Sequence, residues 1–246
     1  MQKTLVAATL AALVGVAGVA NAADIYPPSA SGYKDVVVVA PTWTGFYLGA
    51  HVGGAWSNID ITDYTAAGSI FSTGSFSGSA VIGGGQLGYN WQRDAFVLGV
   101  EVDLGGVGNL GSVDRPDLAA LHPHYQTDGS FIGDITGRVG YAVGSALFYA
   151  KGGGAFLNGD WKVNYLAVND FYSANGTLWG WTVGGGIEYQ VTPVWSVKAE
   201  YQYIAFNNVS VPTPSEGGYV RFSNLDLNTF TVGVNYHLVS GYTPLK

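Results

Sequence analysis

The chain contains no cysteine, which removes disulfides and any thiolate metal site. Charge is scarce as well: Asp, Glu, Lys and Arg make up only 11% of 246 residues, and the formal balance of −7 runs against binding polyanions such as nucleic acid. Beyond Ala22 no apolar run approaches the ~20 residues of a membrane-spanning helix. No glycine-rich loop ends in Gly-Lys-Ser/Thr, so there is no P-loop. Yet mean hydropathy is positive and aromatics reach 14%. An apolar chain without apolar runs must spread its hydrophobic side chains at short period, as β-strand alternation does.

The one long apolar stretch opens the chain. Lys3 is followed by uncharged residues 5–19 and by the small-x-small site Ala20-Asn21-Ala22, the pattern of a cleaved export signal over residues 1–22. Residues 23–42, with Pro27-Pro28 and the valine run 36–39, read as a short periplasmic tail, 43–238 as one barrel, and 239–246 as a C-terminal tail.

Eight segments of the barrel region alternate. One face carries Phe46, Leu48, Val52 and Trp56 in the first, then Val81, Leu87, Tyr89 and Trp91, then Phe96, Leu98, Val100, Val102 and Leu104. The fourth has Phe131, Ile135, Val139 and Tyr141, and the fifth Phe148, Ala150 and Phe156. The last three give Trp179, Trp181, Val183, Ile187 and Tyr189; Trp195, Val197, Tyr201 and Tyr203; and Phe230, Val232, Val234, Tyr236 and Leu238. Glu101, Asp103, Asp134, Arg138, Lys151, Glu188, Lys198 and Glu200 all fall on the opposite face. A charge facing lipid at the bilayer midplane costs ~2–4 kcal/mol for Arg or Lys, and enclosing it avoids that cost. The pattern predicts an all-β, eight-stranded antiparallel up-and-down transmembrane barrel of the outer-membrane type, with strands closed because backbone groups in lipid find no water. Arg138, Lys151 and Lys198 are expected to bridge Glu101, Asp103, Glu188 and Glu200 across the lumen, since an unpaired buried charge costs several kcal/mol.

Connections alternate in length. Turns at Arg93-Asp94, Gly144-Ser145 and Thr192-Pro193 are short, whereas 58–79, 106–129, 158–177 and 206–226 read as long polar loops. Aromatics flank the short turns: Trp91, Phe96, Tyr141, Phe148, Tyr189 and Trp195, joined by Trp43, Phe46 and Tyr236 from the ends of the barrel. Such a ring predicts an interfacial girdle at the periplasmic rim, where an even strand count also brings both termini.

Motifs that would carry chemistry are weak. Gly83-x-Gly85-x-x-Gly88 matches the dinucleotide pattern by letter but lies inside an alternating strand rather than at a strand-to-helix turn. With the triplets Gly152–Gly154 and Gly184–Gly186, it reads as glycine that lets a small barrel coil and leaves room for larger inward side chains. Glu101 and Asp103 share a face as acid–base residues would, but counter-charges nearby make them a structural cluster. His51, His237 and Ser57 face inward with no spacing that selects a triad. His122-Pro123-His124 has no carboxylate or cysteine partner pattern for a metal or haem. The loops are acidic, with Asp60, Asp63, Asp114, Asp117, Asp128, Asp160, Asp170, Glu216 and Asp226 against Arg115, Lys162 and Arg221. Asn175-Gly176-Thr177 spells a sequon that only a eukaryotic secretory route would use.

Several stretches resemble the alphaproteobacterial family of small outer-membrane immunogenic, porin-like β-barrel proteins, the 25/31-kilodalton group. They are Trp43-Thr-Gly-Phe-Tyr-Leu-Gly, Gly83-Gly-Gly-Gln-Leu-Gly-Tyr-Asn-Trp, Phe96-Val-Leu-Gly-Val-Glu-Val-Asp and Gly137-Arg-Val-Gly-Tyr-Ala. Leu147-Phe-Tyr-Ala-Lys-Gly-Gly, Thr182-Val-Gly-Gly-Gly-Ile-Glu-Tyr and Val194-Trp-Ser-Val-Lys-Ala-Glu-Tyr complete the set. The resemblance covers every strand and implies a bacterial outer-membrane barrel with structural and surface roles and no catalytic residues. One departure is that Tyr236-His237-Leu238 is followed by residues 239–246, whereas such barrels usually end on an aromatic read by the assembly machinery. The expected function is envelope stabilisation and surface display by a barrel closed with charged side chains, with no enzyme activity, catalytic residue, cofactor or metal. A narrow porin-like channel, and haem or host-surface binding by the loops, are the alternatives. Expected partners are outer-membrane lipids and, during biogenesis, the barrel-assembly machinery, but not nucleic acid.

Overall fold

The computed structural model describes residues 42–115, 123–166, 170–213 and 218–238. The expected signal segment, most of the 23–42 tail, residues 239–246, His122, Asp117 and Glu216 lie outside them. Ten strands run in chain order: β1 Gly45–Tyr64, β2 Ile70–Arg93, β3 Phe96–Val107, β4 Asn109–Asp114, β5 Pro123–Val143, β6 Ala146–Tyr165, β7 Asp170–Gln190, β8 Trp195–Phe206, β9 Val209–Thr213 and β10 Gly218–His237. Antiparallel ladders link β1, β2, β3, β5, β6, β7, β8 and β10 in that order, and β1 pairs with β10 to close a ring of eight.

Two of the short turns begin on a residue with positive φ, Asp94 at 55° and Gly144 at 59°. That twist matches the right-handed twist of the strands they join. Phe46, Leu48, Val52 and Trp56 face out along β1, as do Phe96, Leu98, Val100, Val102 and Leu104 along β3. From Phe46 to Trp56 the belt covers about 33 Å of strand, which a tilt of about 40° turns into roughly 25 Å, the apolar height of an outer-membrane barrel. Aromatics edge it at the short-turn rim, with ring contacts Phe46–Tyr89 at 4.8 Å, Phe96–Tyr141 at 5.4 Å and Trp195–Tyr236 at 5.0 Å. A second ring, which the sequence reading missed, edges the other side: Phe131–Phe156 and Phe156–Trp179 at 5.9 Å, and Trp181–Tyr203 at 5.6 Å.

The segments expected as long polar loops are mostly strand. Thr65 to Ser69 alone connect β1 to β2, and the ladder between them runs from Gly45↔Asn90 to Tyr64↔Ile70. The cause is an inversion of polarity. Beyond Trp56 the outward residues of β1 become Asn58, Asp60 and Thr62, while Ile59 and Ile61 turn inward and are buried. β6 does the same, with Asn158, Asp160 and Lys162 outside and Leu157, Trp161 and Val163 buried. Water has replaced hydrocarbon outside, so the apolar face must turn in.

In this region the ring also splits. The β2–β3 ladder ends at Ile82↔Val107 and the β7–β8 ladder at Gly180↔Phe206. Beyond those points β9-β10-β1-β2 and β4-β5-β6-β7 form two sheets, and among the described residues no backbone ladder joins β2 to β4 or β7 to β9. Their inner faces share one apolar core that includes Ile59, Phe76, Phe222, Leu110, Tyr125 and Trp161, the packing of a β-sandwich. The Ser57 hydroxyl donates to the Leu110 carbonyl and the Arg115 guanidinium to the Thr73 carbonyl at 3.1 Å, tying one seam.

Trp43 is a correction. Expected in the girdle, it is fully buried inside the short-turn mouth against Val97, Leu147 and Tyr149, with its ring edge on His237 at 5.7 Å. Its backbone N–H donates to Gln92 Oε1 at 2.7 Å, and Gln190 Nε2 donates to the Thr42 carbonyl at 3.2 Å. The chain therefore crosses the mouth just before β1, and an indole at that point packs better inside than out. The other expected girdle residues, Phe46, Trp91, Phe96, Tyr141, Phe148, Tyr189, Trp195 and Tyr236, lie on the outer face.

Candidate lumen charge cluster

The interior of the belt is polar. Glu101, Asp134, Arg138, Lys151, Glu188, Lys198 and Glu200 are each at most 5% exposed. The ladders alone arrange them badly, since Asp103 sits directly opposite Asp134, and Arg138 directly opposite Lys151. Like charges so placed destabilise a strand pair. The side chains resolve this by reaching across the lumen, which in an eight-stranded barrel is narrow enough for facing walls to meet.

Glu101 takes Lys151 Nζ at 2.9 Å on Oε1 and the Tyr47 phenol at 2.7 Å on Oε2, with Arg138 and Lys198 both at 3.9 Å. Glu200 takes Lys151 at 3.1 Å, Lys198 at 3.7 Å and the Tyr149 phenol at 2.7 Å. Glu188 pairs with Arg138 Nη1 at 3.2 Å and accepts from Asn235 Nδ2 at 2.7 Å and from the Ser196 hydroxyl. Asp134 accepts from Gln202 Nε2 at 2.8 Å and lies 3.9 Å from Lys151. Arg138 is held between rings, 4.6 Å from the Tyr47 centroid and 5.2 Å from that of Tyr149, and its Nε donates to Asn90 at 2.8 Å. These cation–π contacts were not foreseen. Asp103, expected to be bridged by one of the three bases, has His51 Nδ1 at 3.3 Å as its nearest cationic group. It lies beside the polar Gln86 of β2, which accepts from or donates to His51 at 2.9 Å.

Glycine makes the tyrosines possible. A Cβ on Gly88 would lie 2.2 Å from the Tyr47 hydroxyl, and one on Gly186 would lie 2.8 Å from that of Tyr149. The glycine pattern that spells a nucleotide motif thus holds open the space into which these phenols reach.

Three layers follow along the axis: the apolar group around Trp43, the charged cluster, and the sandwich core. Between the last two lies a cavity of about 20 Å³ lined by His51, Asp103, Asp134, Gln202, Ile82 and Ile204, room for about one water. Among the described residues no three His, Cys, Asp or Glu side chains converge as metal ligands. His51, His237 and Ser57 do not assemble: Ser57 bonds to backbone carbonyls, while His237 Nε2 sits 3.0 Å from the Ser196 hydroxyl. His124 Nδ1 lies 2.6 Å from Asp114 Oδ1 on the outer wall of the sandwich. Asp128, on the same wall, feels burial raising its pKa, but hydrogen bonds from Lys162, Gln126 and Asn109 outweigh that and hold it below the usual carboxylate range.

The family profile described as outer membrane protein beta-barrel domain matches residues 9–237. The 31 kDa outer-membrane immunogenic protein of Brucella melitensis is 30% identical over 95% of this chain and 99% of its own length. The 22 kDa outer membrane protein of Rhizobium leguminosarum is 31% identical over 94% of this chain and 98% of its own. Among solved structures, Neisserial surface protein A aligns over 79% of this chain and 98% of its own at 15% identity and a TM-score of 0.43. The outer membrane protein AlkL aligns over 91% and 100% at 12% identity and a TM-score of 0.44.

Proposed function

Because this chain belongs to the outer-membrane protein β-barrel domain family, we propose that it is a closed wall element of the bacterial outer membrane, one that stabilises the envelope and displays its sandwich on the cell surface. The observation that carries the reading is the filled interior. Any solute would have to displace Trp43, part the Glu101–Lys151–Glu200 and Arg138–Glu188 contacts, and then thread the sandwich core. Each of those steps exposes either apolar surface or a desolvated charge, and neither is repaid by a small hydrated solute. In this reading both termini and the short turns face the periplasm, and the long hairpins face out. The immunogenic names of the Brucella relatives support surface display. Catalysis forms no part of the proposal, since each polar side chain of the lumen is engaged in charge pairing rather than aimed at an open cleft.

Planar-bilayer recording tests it. Purified, refolded protein is expected to leave the membrane at baseline at either polarity, in salts of small and large ions alike. Reproducible unitary steps, abolished on boiling the sample, would replace this reading with that of a narrow channel.

A further inference from the structure

On the sandwich the outward positions are mostly small or polar, and the large apolar exceptions gather at two tips. Ile70 and Phe71 at the start of β2 are 62% and 55% exposed; Leu166 and Phe171 at the β6–β7 connection are 48% and 59% exposed. The β1–β2 ladder slips at its end, where Asp63 pairs with Ser72 but Tyr64 with Ile70, which leaves Phe71 bulged beside Ile70. Just below, Tyr64 and Tyr219 stack at 4.6 Å. None of the four apolar side chains joins the sandwich core. Burial elsewhere in the fold therefore does not explain them, and exposed apolar groups gathered in this way mark contact surfaces.

Their placement is informative. In the order of the ring, the β1–β2 and β6–β7 hairpins stand on opposite sides. Tyr64 lies eight positions beyond Trp56 on β1, and Phe171 eight positions beyond Trp179 on β7, each counted from an aromatic at the edge of the belt. The two tips thus reach a common height, roughly 20 Å above the belt at a tilt of about 40°. Two apolar points at one height across a ring suit a flat partner facing the barrel end-on. A second copy in the same membrane would meet the side wall instead. Charge then selects the surface: the nearest base, Arg221, already lies over Tyr64 at 5.6 Å and Tyr219 at 6.0 Å, Asp170 flanks the second tip, and the chain carries a formal charge of −7. An anionic face would be repelled and a zwitterionic one would not.

We propose that the two tips dock on an apposed zwitterionic lipid bilayer, with Ile70, Phe71, Leu166 and Phe171 entering its interfacial layer and the Tyr64–Tyr219 pair lying at the headgroup level. This rests on the reading that the long hairpins leave the cell. It adds to that reading a lipid-contacting activity, built on the preference of aromatic rings for a membrane interface.

The test uses the full chain refolded into phosphatidylcholine nanodiscs and floated with phosphatidylcholine vesicles. Wild-type discs are expected to rise with the vesicles, I70S/F71S and L166S/F171S each to weaken partition by about tenfold, and all four substitutions together to abolish it. Added salt should leave binding to neutral vesicles unchanged, and phosphatidylglycerol in the vesicles should weaken it. A shift in gel mobility on boiling verifies that each variant is folded. Equal flotation of the four-site variant, no flotation of the wild type, or disc-to-disc association without vesicles that the four substitutions remove would each overturn the proposal. Discs expose both ends of the barrel, so the outcome is independent of orientation in the cell and of conductance.

Discussion

At the scale of single residues, Glu101 holds the lumen together. It contacts all three interior bases and the Tyr47 phenol while only 1% exposed. Removing its carboxylate leaves Lys151 to Glu200 and Asp134, and leaves Arg138 to Glu188. Glu101→Ala should therefore cost about 3–5 kcal/mol in urea unfolding from vesicles. Lys151→Ala should cost less, because Glu101 keeps Arg138 and Lys198 at 3.9 Å. The pair should fall short of additivity by about 1–3 kcal/mol, since the second substitution removes the charge that the first left unpaired. Additive losses within about 0.5 kcal/mol would mean that the two are not partners. Which residues face the lumen was legible from alternation, because the cost of a charge in lipid fixes the face. Which charge meets which was not, because Asp103↔Asp134 and Arg138↔Lys151 are ladder neighbours whose true partners lie across the barrel. Trp43 was misread for a related reason: its position just before a strand gives no phase, and only the chain's path across the mouth turns the ring inward.

At the scale of the strand, the lesson lies in β6. Its side chains keep one alternation from Ala146 to Tyr165, yet the meaning of that alternation reverses near Phe156. Before it, Phe148 and Ala150 face out and Lys151 faces in; after it, Asp160 and Lys162 face out and Trp161 and Val163 are buried. Averaged over a window, the second half is merely polar, and it was read as a loop for that reason. Read by phase, Leu157, Trp161 and Val163 repeat at a period of two or four, which is a strand facing a core. The same substitution should consequently act differently in the two halves. Val100→Lys, on the lipid side of β3, is expected to destabilise the barrel by about 2–4 kcal/mol. Leu157→Lys places an unpaired cation in the sandwich instead. It should make the hairpins sensitive to added protease while the heat-dependent gel shift of the barrel persists. If Leu157→Lys abolishes the gel shift and spares the hairpins, the division between the two halves is misplaced.

The whole molecule is two constructions sharing six strands, and the difference in their driving forces makes them separable. In the belt, hydrocarbon outside makes burial of apolar side chains worthless, so closure of the ladder and charge pairing in the lumen carry the fold. In the sandwich, water outside restores the hydrophobic effect, and two sheets sufficient to bury Ile59, Trp161 and Phe222 hold without a continuous ladder between them. The layers meet at a small polar cavity, with no ion pair among the described residues joining the lumen charges to the sandwich. A chain in which each long hairpin is cut back to the second aromatic ring and closed with Asn-Gly should therefore still insert and form the barrel. The expected signature is a retained shift in mobility on boiling and a retained β-sheet circular dichroism band, with vesicle flotation lost. Should the trimmed chain fail to insert while Leu157→Lys inserts normally, the sandwich would be acting as a nucleus for the barrel, and assembly would have to proceed from the outer hairpins inward.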